Sequence, residues 1–330
     1  MPSHQATVTN TGLRGLLFAA AVAFAGSAAA NTPAPPAPVL AGTPHLLGRG
    51  VISDSDSVAN ATFTPDGKTI YFSKHNPGWA HITIVESHHA HGHWMTPQVA
   101  PFSGFWRDTD PHVSPDGRKL FFASNRPVDG GRTPNSHYDI WIVERVSGGA
   151  WGSPKRLESS VNAGAGGAYP SVTRDGTLYF EAQRNGRPAI FRSEFKDGAY
   201  GPPAPLPFCD TGGCTNPVIS SDDRFIVFFA TDRGGLGGAD LFVSFHRADG
   251  RWSKPVNLGP AVNSPSFESA PGLSPDNRTL YFSSDRIDPA PRMRRVTYAE
   301  LERELHGDQN GLSKIYAMDI SDLDKLDPGG

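Results

Sequence analysis

Cysteine is nearly absent: the chain has two in 330 residues, Cys209 and Cys214, in the segment CDTGGC. Two thiols make a poor zinc site, and this pair lacks the C-x-x-C spacing of a redox motif. In an exported chain they are expected to close a small loop as a disulfide, with two free thiols as the alternative. Positive charge is not in excess either, with 30 Lys and Arg against 33 Asp and Glu and a formal net charge of -3. A nucleic-acid binder needs a basic surface to displace counterions from phosphates, so that class is set aside. Beyond the N-terminus no apolar run approaches the length that crosses a bilayer. Common catalytic signatures are also missing: there is no G-x-S-x-G elbow, no H-E-x-x-H, no Walker loop and no G-x-G-x-x-G fingerprint. The glycine-rich Gly234–Gly238 has no helix pattern after it that would cradle a phosphate.

What is present begins with an address. Arg14 is the one charged side chain in residues 1–30, and the apolar run from Leu16 to Ala30 ends in Ala28, Ala29 and Ala30, a small-residue cleavage site. That is the build of a secretory signal peptide. No cysteine follows it directly, so a lipid anchor is not expected. Residues 31–43 form a Pro-rich linker, which should be extended. The expected destination is the periplasm or the exterior.

Glycine and proline are abundant, at 36 and 30 residues, and they recur in a pattern. TPDG at Thr64–Gly67 returns as SPDG at Ser114–Gly117, and in weaker form as TRDG at Thr173–Gly176, SDDR at Ser221–Arg224 and SPDN at Ser274–Asn277. The shared aspartates, at 66, 116, 175, 223 and 276, are 50, 59, 48 and 53 residues apart, the period of a propeller blade. Ser-Pro-Asp-Gly suits a tight turn, because proline presets φ and glycine accepts a positive one. A strand-like run follows each turn (TIYFSKH, KLFFASNR, TLYFEAQR, FIVFFATDR, TLYFSSDR), and then a second run. Four such strands make a sheet that buries its faces only by stacking on its neighbours. The expectation is an all-β chain: a β-propeller of four-stranded antiparallel blades over residues 44–326, with a short tail at 327–330. Five turns imply five blades, since a sixth would need about 40 further residues. HLLGRGVISDSDS at His45–Ser57 is similar to a blade's end, and the fifth unit lacks one. An N-terminal strand should therefore close the ring.

These units resemble the WD40-like repeats of the TolB type, which run P-x-[IL]-S-P-D-G-x-x-[IL]-Y-F-x-S-x-R and then D-[IL]-[YWF]-V. The match is best at Pro111–Val143, Pro217–Val243 and Pro271–Ala317. The resemblance implies a propeller scaffold that hosts many activities. A stand-alone exported propeller is the reading, acting as a non-catalytic binding module in the cell envelope. Its partner would be an envelope protein or a peptidoglycan-like polymer, with no nucleic acid, no membrane span and no cofactor.

Function is sought in features that do not repeat. With strands A to D counted from the axis outward, the B–C and D–A loops share one face. That face carries Phe105, Trp106, Arg107 and Asp108, an insert at Pro127–His137, and a longer one at Ile287–Gly311 with Arg292, Arg294 and Arg295. Thr297–Glu300 is a capping box that should open a short helix. Arg126, Arg233 and Arg286 end the second strands and either pair with carboxylates inside a blade or form a cationic ring around a ligand. His89, His91 and His93 alternate onto one face if extended, a possible chelate for incidental zinc or copper. The alternative function is a carbohydrate-active lyase or hydrolase, using that metal or mouth carboxylates such as Asp108, Asp110 and Glu268.

Overall fold

A computed structural model describes residues 40–157, 160–163, 166–209, 213–231, 233–287, 293–327 and 329. The signal segment, most of the linker and Arg292 lie outside the described residues. Five antiparallel four-stranded sheets follow one another, each running from an inner strand A to an outer strand D. Strands A to C are Ser57–Phe63, Thr69–His75 and Ile82–Ala90 in the first blade. They are Asp108–Val113, Lys119–Ser124 and Asp139–Glu144 in the second, and Ala168–Val172, Leu178–Arg184 and Arg187–Ser193 in the third. The fourth has Cys214–Ile219, Phe225–Ala230 and Asp240–Phe245, and the fifth Glu268–Leu273, Thr279–Ser284 and Lys314–Asp319.

The outer strand of the fifth blade is His45–Leu46, which pairs with Tyr316 and Ala317 as the sequence implied. The Ser53 hydroxyl adds a bond of 3.0 Å to the Ile315 carbonyl. Packing starts earlier than residue 44, because Leu40 is already buried among Met318, Leu323 and Leu326.

The repeated turn explains its own residues. Its Ser or Thr hydroxyl donates to the Asp two positions on, at 2.6 Å in Thr64–Asp66, Ser114–Asp116 and Ser274–Asp276. The same aspartate accepts the following N–H, as from Lys68 at 3.1 Å and Arg118 at 3.0 Å. The last residue must be left-handed, and Gly67, Gly117, Gly176, Asp223 and Asn277 all have φ between 61° and 90°. Gly, Asn and Asp tolerate that conformation best. The fourth turn therefore corrects the sequence reading by one residue: it starts at Ser220, whose oxygen accepts from Phe225 N–H at 3.0 Å, so its aspartate is Asp222.

Strand B runs are apolar on both sides because both sides are covered. Leu120 and Phe122 face the first blade with Tyr71 and Ile84, while Phe121 faces the third with Leu178 and Phe180. The inner strands are locked together as well. Val113 N–H donates to the Thr62 hydroxyl at 3.1 Å, Val172 N–H to His112 Nε2 at 3.1 Å, and Ile219 N–H to the Ser171 hydroxyl at 3.0 Å. Where the fifth blade meets the first, Gly272 takes the corresponding place, and a Cβ there would lie 2.3 Å from the Ala61 carbonyl oxygen. Gly272→Ala should therefore cost roughly 1–3 kcal/mol in thermal or denaturant unfolding. Gly78→Ala, at a site with nothing within 4 Å, should stay within about 0.5 kcal/mol of wild type.

Candidate functional site

Every inner strand carries a bulge, and its register with strand B shifts between Ala59 and Thr62, Thr109 and His112, Ala168 and Ser171, Thr215 and Val218, and Ser269 and Gly272. At each bulge one residue is left-handed: Asn60, Asp110, Tyr169, Asn216 and Ala270, with φ between 47° and 61°. In four blades a proline follows, Pro111, Pro170, Pro217 or Pro271, where the ladder is interrupted and a missing N–H costs nothing. These five left-handed residues line one axial cavity of about 210 Å³. Its opening is ringed by the second residues of the A–B turns, Pro65, Pro115, Arg174, Ser221 and Pro275.

Polar links run around four of the five blades. Asn60 Nδ2 donates to Asp110 Oδ1 at 2.7 Å, and Thr109 Oγ1 donates to the same oxygen at 2.8 Å. Tyr169 N–H donates to Asp110 Oδ2 at 3.2 Å. The Asn216 side chain hydrogen-bonds the Tyr169 hydroxyl, and Asn216 N–H donates to Glu181 Oε2 at 3.4 Å. At the corresponding place the fifth blade has Ala270, which has no polar side chain to continue the links. Burial pushes the Asp110 carboxyl up to about 7 against its donors, and the Glu181 carboxyl up to about 8. Burial also holds His112 down to about 4, consistent with a neutral ring whose Nε2 accepts Val172 N–H. Sequence reasoning placed Asp110 among mouth acids and missed Asn60, Tyr169, Asn216, Glu181 and Arg174. The prolines after the left-handed residues were the available signal.

The expected ligand residues fall into two groups. Asp108 and Arg126 are both buried: Arg126 Nη2 donates to Asp108 Oδ1 at 2.7 Å and to the Phe102 carbonyl at 3.2 Å. Glu268 and Arg286 repeat the arrangement at 3.1 Å, with the Val262 carbonyl as the further acceptor. Arg233 donates to the equivalent Phe208 carbonyl, but Cys214 stands where the acid would be, its Sγ at 3.4 Å. These arginines brace blades from within and form no cationic ring. Asp108 and Glu268 are likewise corrected from mouth carboxylates to buried ion-pair partners, because both open an inner strand that points them into the blade interface.

Cys209 and Cys214 share one buried cluster and stand as thiols in this structure, and burial pushes the Cys209 thiol well up, away from the thiolate that exchange requires. The histidines do not converge either. His91 and Gly92 make a tight turn with φ of 53° and 82°, so the alternation breaks between His89 and His93. His89 lies edge-on to Trp94, His93 turns its Nδ1 to the His91 carbonyl, and no metal-holding group is found among the described residues.

Phe105, Trp106, Arg107, Arg294 and Arg295 remain on the insert face. Phe105 is 81% exposed and meets Trp106 at 5.0 Å between ring centroids. Arg107 donates to the Trp79 carbonyl at 2.8 Å and lies over the Tyr138 ring. Arg294 forms a two-pronged pair with Glu300 at 2.6 and 3.0 Å. Glu300 belongs to the expected helix, Tyr298–Leu305, whose Thr297 capping box is complete and of which no residue is buried.

The fold defines the class: the chain is a five-bladed β-propeller. No family profile matches it, and no curated protein is similar to it. Among solved structures it is similar to TolB from Acinetobacter baumannii, at TM-score 0.47 and 17% identity over 81% of this chain and 55% of that one. It is also similar to a GH62 hydrolase solved with xylotriose, at TM-score 0.49 and 11% identity over 84% and 97%. A third is Zg3597, a family 117 glycoside hydrolase of the marine bacterium Zobellia galactanivorans, at 0.48 and 14% over 84% and 90%. The chain spans about half the length of TolB, and these likenesses concern the fold alone. No helix among the described residues is long and apolar enough to cross a membrane.

Two outcomes follow from these contacts. Arg126→Met leaves Asp108 buried without its cation and should cost about 3–5 kcal/mol. Arg233→Met, with Cys214 and no carboxylate opposite among the described residues, should cost clearly less in the same unfolding assay. The second outcome concerns pH. Asp110 and Glu181 hold protons in the folded chain that the unfolded chain releases near pH 4, so their stabilisation is full below that pH and is lost as pH rises through about 7 to 8. Wild-type Tm should drop between pH 5 and pH 8.5, and Asp110→Asn with Glu181→Gln should flatten that slope. An unchanged slope would count against the assignment.

Proposed function

We propose that the protein is an exported, non-catalytic binding module of the TolB-type repeat class that holds an envelope protein on its insert face. The supporting observation is the distribution of exposed apolar side chains. Of the twelve large ones exposed among the described residues, nine sit on B–C or D–A loops, led by Met293 at 90%, Phe105 at 81% and Tyr298 at 75%. Monomers rarely gather such residues on one face, and aromatic and Met side chains are enriched in the cores of interfaces. Arg107, Arg294 and Arg295 lie on the same loops and add polar groups to that face. The signal segment argues for the envelope as the place where the partner is met.

A second reading, a carbohydrate-active hydrolase, keeps one observation in its favour. Asp110 and Glu181 are neighbouring carboxyls lifted toward neutrality, as a general acid requires. The carboxylates first considered for that chemistry, Asp108 and Glu268, are consumed by arginines.

Crosslinked capture from the protein's own envelope extract separates the two. A Phe105→Ser, Tyr298→Ser variant with wild-type Tm should lose at least about tenfold of one identified partner, the scale on which interface anchors act. Equal capture by both proteins would contradict the binding reading. Release of sugar from an envelope glycan, abolished by Asp110→Asn, would establish the hydrolase instead.

A further inference from the structure

The face opposite the inserts holds the axial cavity, and none of the features assigned to partner binding reaches it. A second hollow of about 450 Å³ adjoins it between the second and third blades. The two share Ser114, Pro115, Val172 and Arg174 in their linings, so they meet beside Arg174.

Arg174 differs from the other charged groups there. Asp116 and Asp175 accept the hydroxyls of Ser114 and Thr173 and the next N–H groups of their turns. Lys119 is paired with Glu144 and lies over the Phe195 ring. The Arg174 backbone is fixed by its N–H bond of 2.9 Å to the Ser221 carbonyl. Its guanidinium is exposed and has no ion pair or hydrogen bond among the described residues. Among the described residues it is the only Lys or Arg lining the axial cavity, where the other turns present Pro65, Pro115, Ser221 and Pro275.

The remaining surfaces specify more than an anion. The N–H groups of Val113, Val172 and Ile219 are taken by the preceding blade, and seven lining positions are prolines. A peptide would find few backbone donors. Side chains with hydroxyls and amides line the cavity, Thr62, Asn60, Asn216 and Tyr169, each already making one bond within the wall, together with the Asp110 carboxyl, which burial pushes up to about 7. The adjoining hollow supplies an aromatic wall, Phe195 and Tyr200, with ring centroids 5.0 Å apart. Hydroxyl-matching amides, an aromatic wall and one cation describe a sugar that bears a carboxylate.

We propose that the A–B-turn face is a second binding site, in which a carboxylate-bearing saccharide sets its acidic sugar in the axial cavity against Arg174 and lays the next unit along Phe195 and Tyr200. Arg174 provides the fork for the carboxylate, and the cavity's amides and hydroxyls meet the ring hydroxyls. The site does not depend on the insert-face reading, because no residue is shared between them.

The test is calorimetric titration of the purified protein with trigalacturonate, beside neutral galactotriose and a tripeptide with a free C-terminus. Trigalacturonate should bind, and Arg174→Ala should weaken it by at least about tenfold, the scale of a lost charge-assisted hydrogen bond. Arg174→Lys should fall between, and both variants should keep wild-type Tm and wild-type capture on the insert face. Equal affinity for the neutral trisaccharide, tighter binding of the tripeptide, no heat with any probe at millimolar concentration, or an unchanged affinity in Arg174→Ala would each overturn the proposal.

Discussion

The bulge in the innermost strand is the constraint on which the rest of this propeller depends. A left-handed residue at Asn60, Asp110, Tyr169, Asn216 or Ala270 changes the strand's register and presents that residue to the axis. Left-handed backbone is costly for a residue as large as tyrosine, yet it recurs at the same point of every blade. It is therefore a property of the architecture and not a strain confined to one site. Beyond the bulge, the side chains of Thr62, His112 and Ser171 reach the next blade and accept its backbone N–H. Gly272 fills that role by having no side chain, since the Ala61 carbonyl occupies the space. The axial cavity and the ring contacts thus share one backbone device.

The sequence was most legible where each residue has a local job. In Ser-Pro-Asp-Gly the hydroxyl, the carboxylate and the left-handed terminal residue act within one turn, so spacing alone located four turns. The fourth was displaced by one residue because Ser220, Ser221, Asp222 and Asp223 fill the pattern equally well in two registers. Ring closure by His45–Leu46 was readable because a strand missing at one end matched a spare one at the other. Side-chain direction was harder. The histidine argument assumed an unbroken strand, and the His91–Gly92 turn breaks it. The arginines at blade ends were recognised as possible internal braces, but Asp108 and Glu268 were placed at the mouth, where their sequence position beside loops suggested exposure. In the fourth blade Cys214 takes the acid's place against Arg233, a substitution visible only once the blades are superposed strand by strand.

Two faces with different chemistry emerge from one repeat. The turns that define the repeat are short and nearly uniform, so their face is shaped by the few positions that deviate, above all Arg174. The other face receives the insertions, which loops tolerate because they add little closure entropy and disturb no ladder. Its exposed Phe105, Met293 and Tyr298 lie around strands already braced by Arg126 and Arg286, so variation there leaves the core unaffected. Rigid blades beneath variable loops make a suitable scaffold for recognition.

The central claim is that this insert face, and not the turn face, meets a protein partner. A photo-crosslinking residue at position 105, and another at position 67 on the turn face, tests it in envelope extract under light. The account predicts one protein crosslinked from position 105 and none from position 67. The same protein crosslinked from both positions, or from position 67 alone, would contradict it.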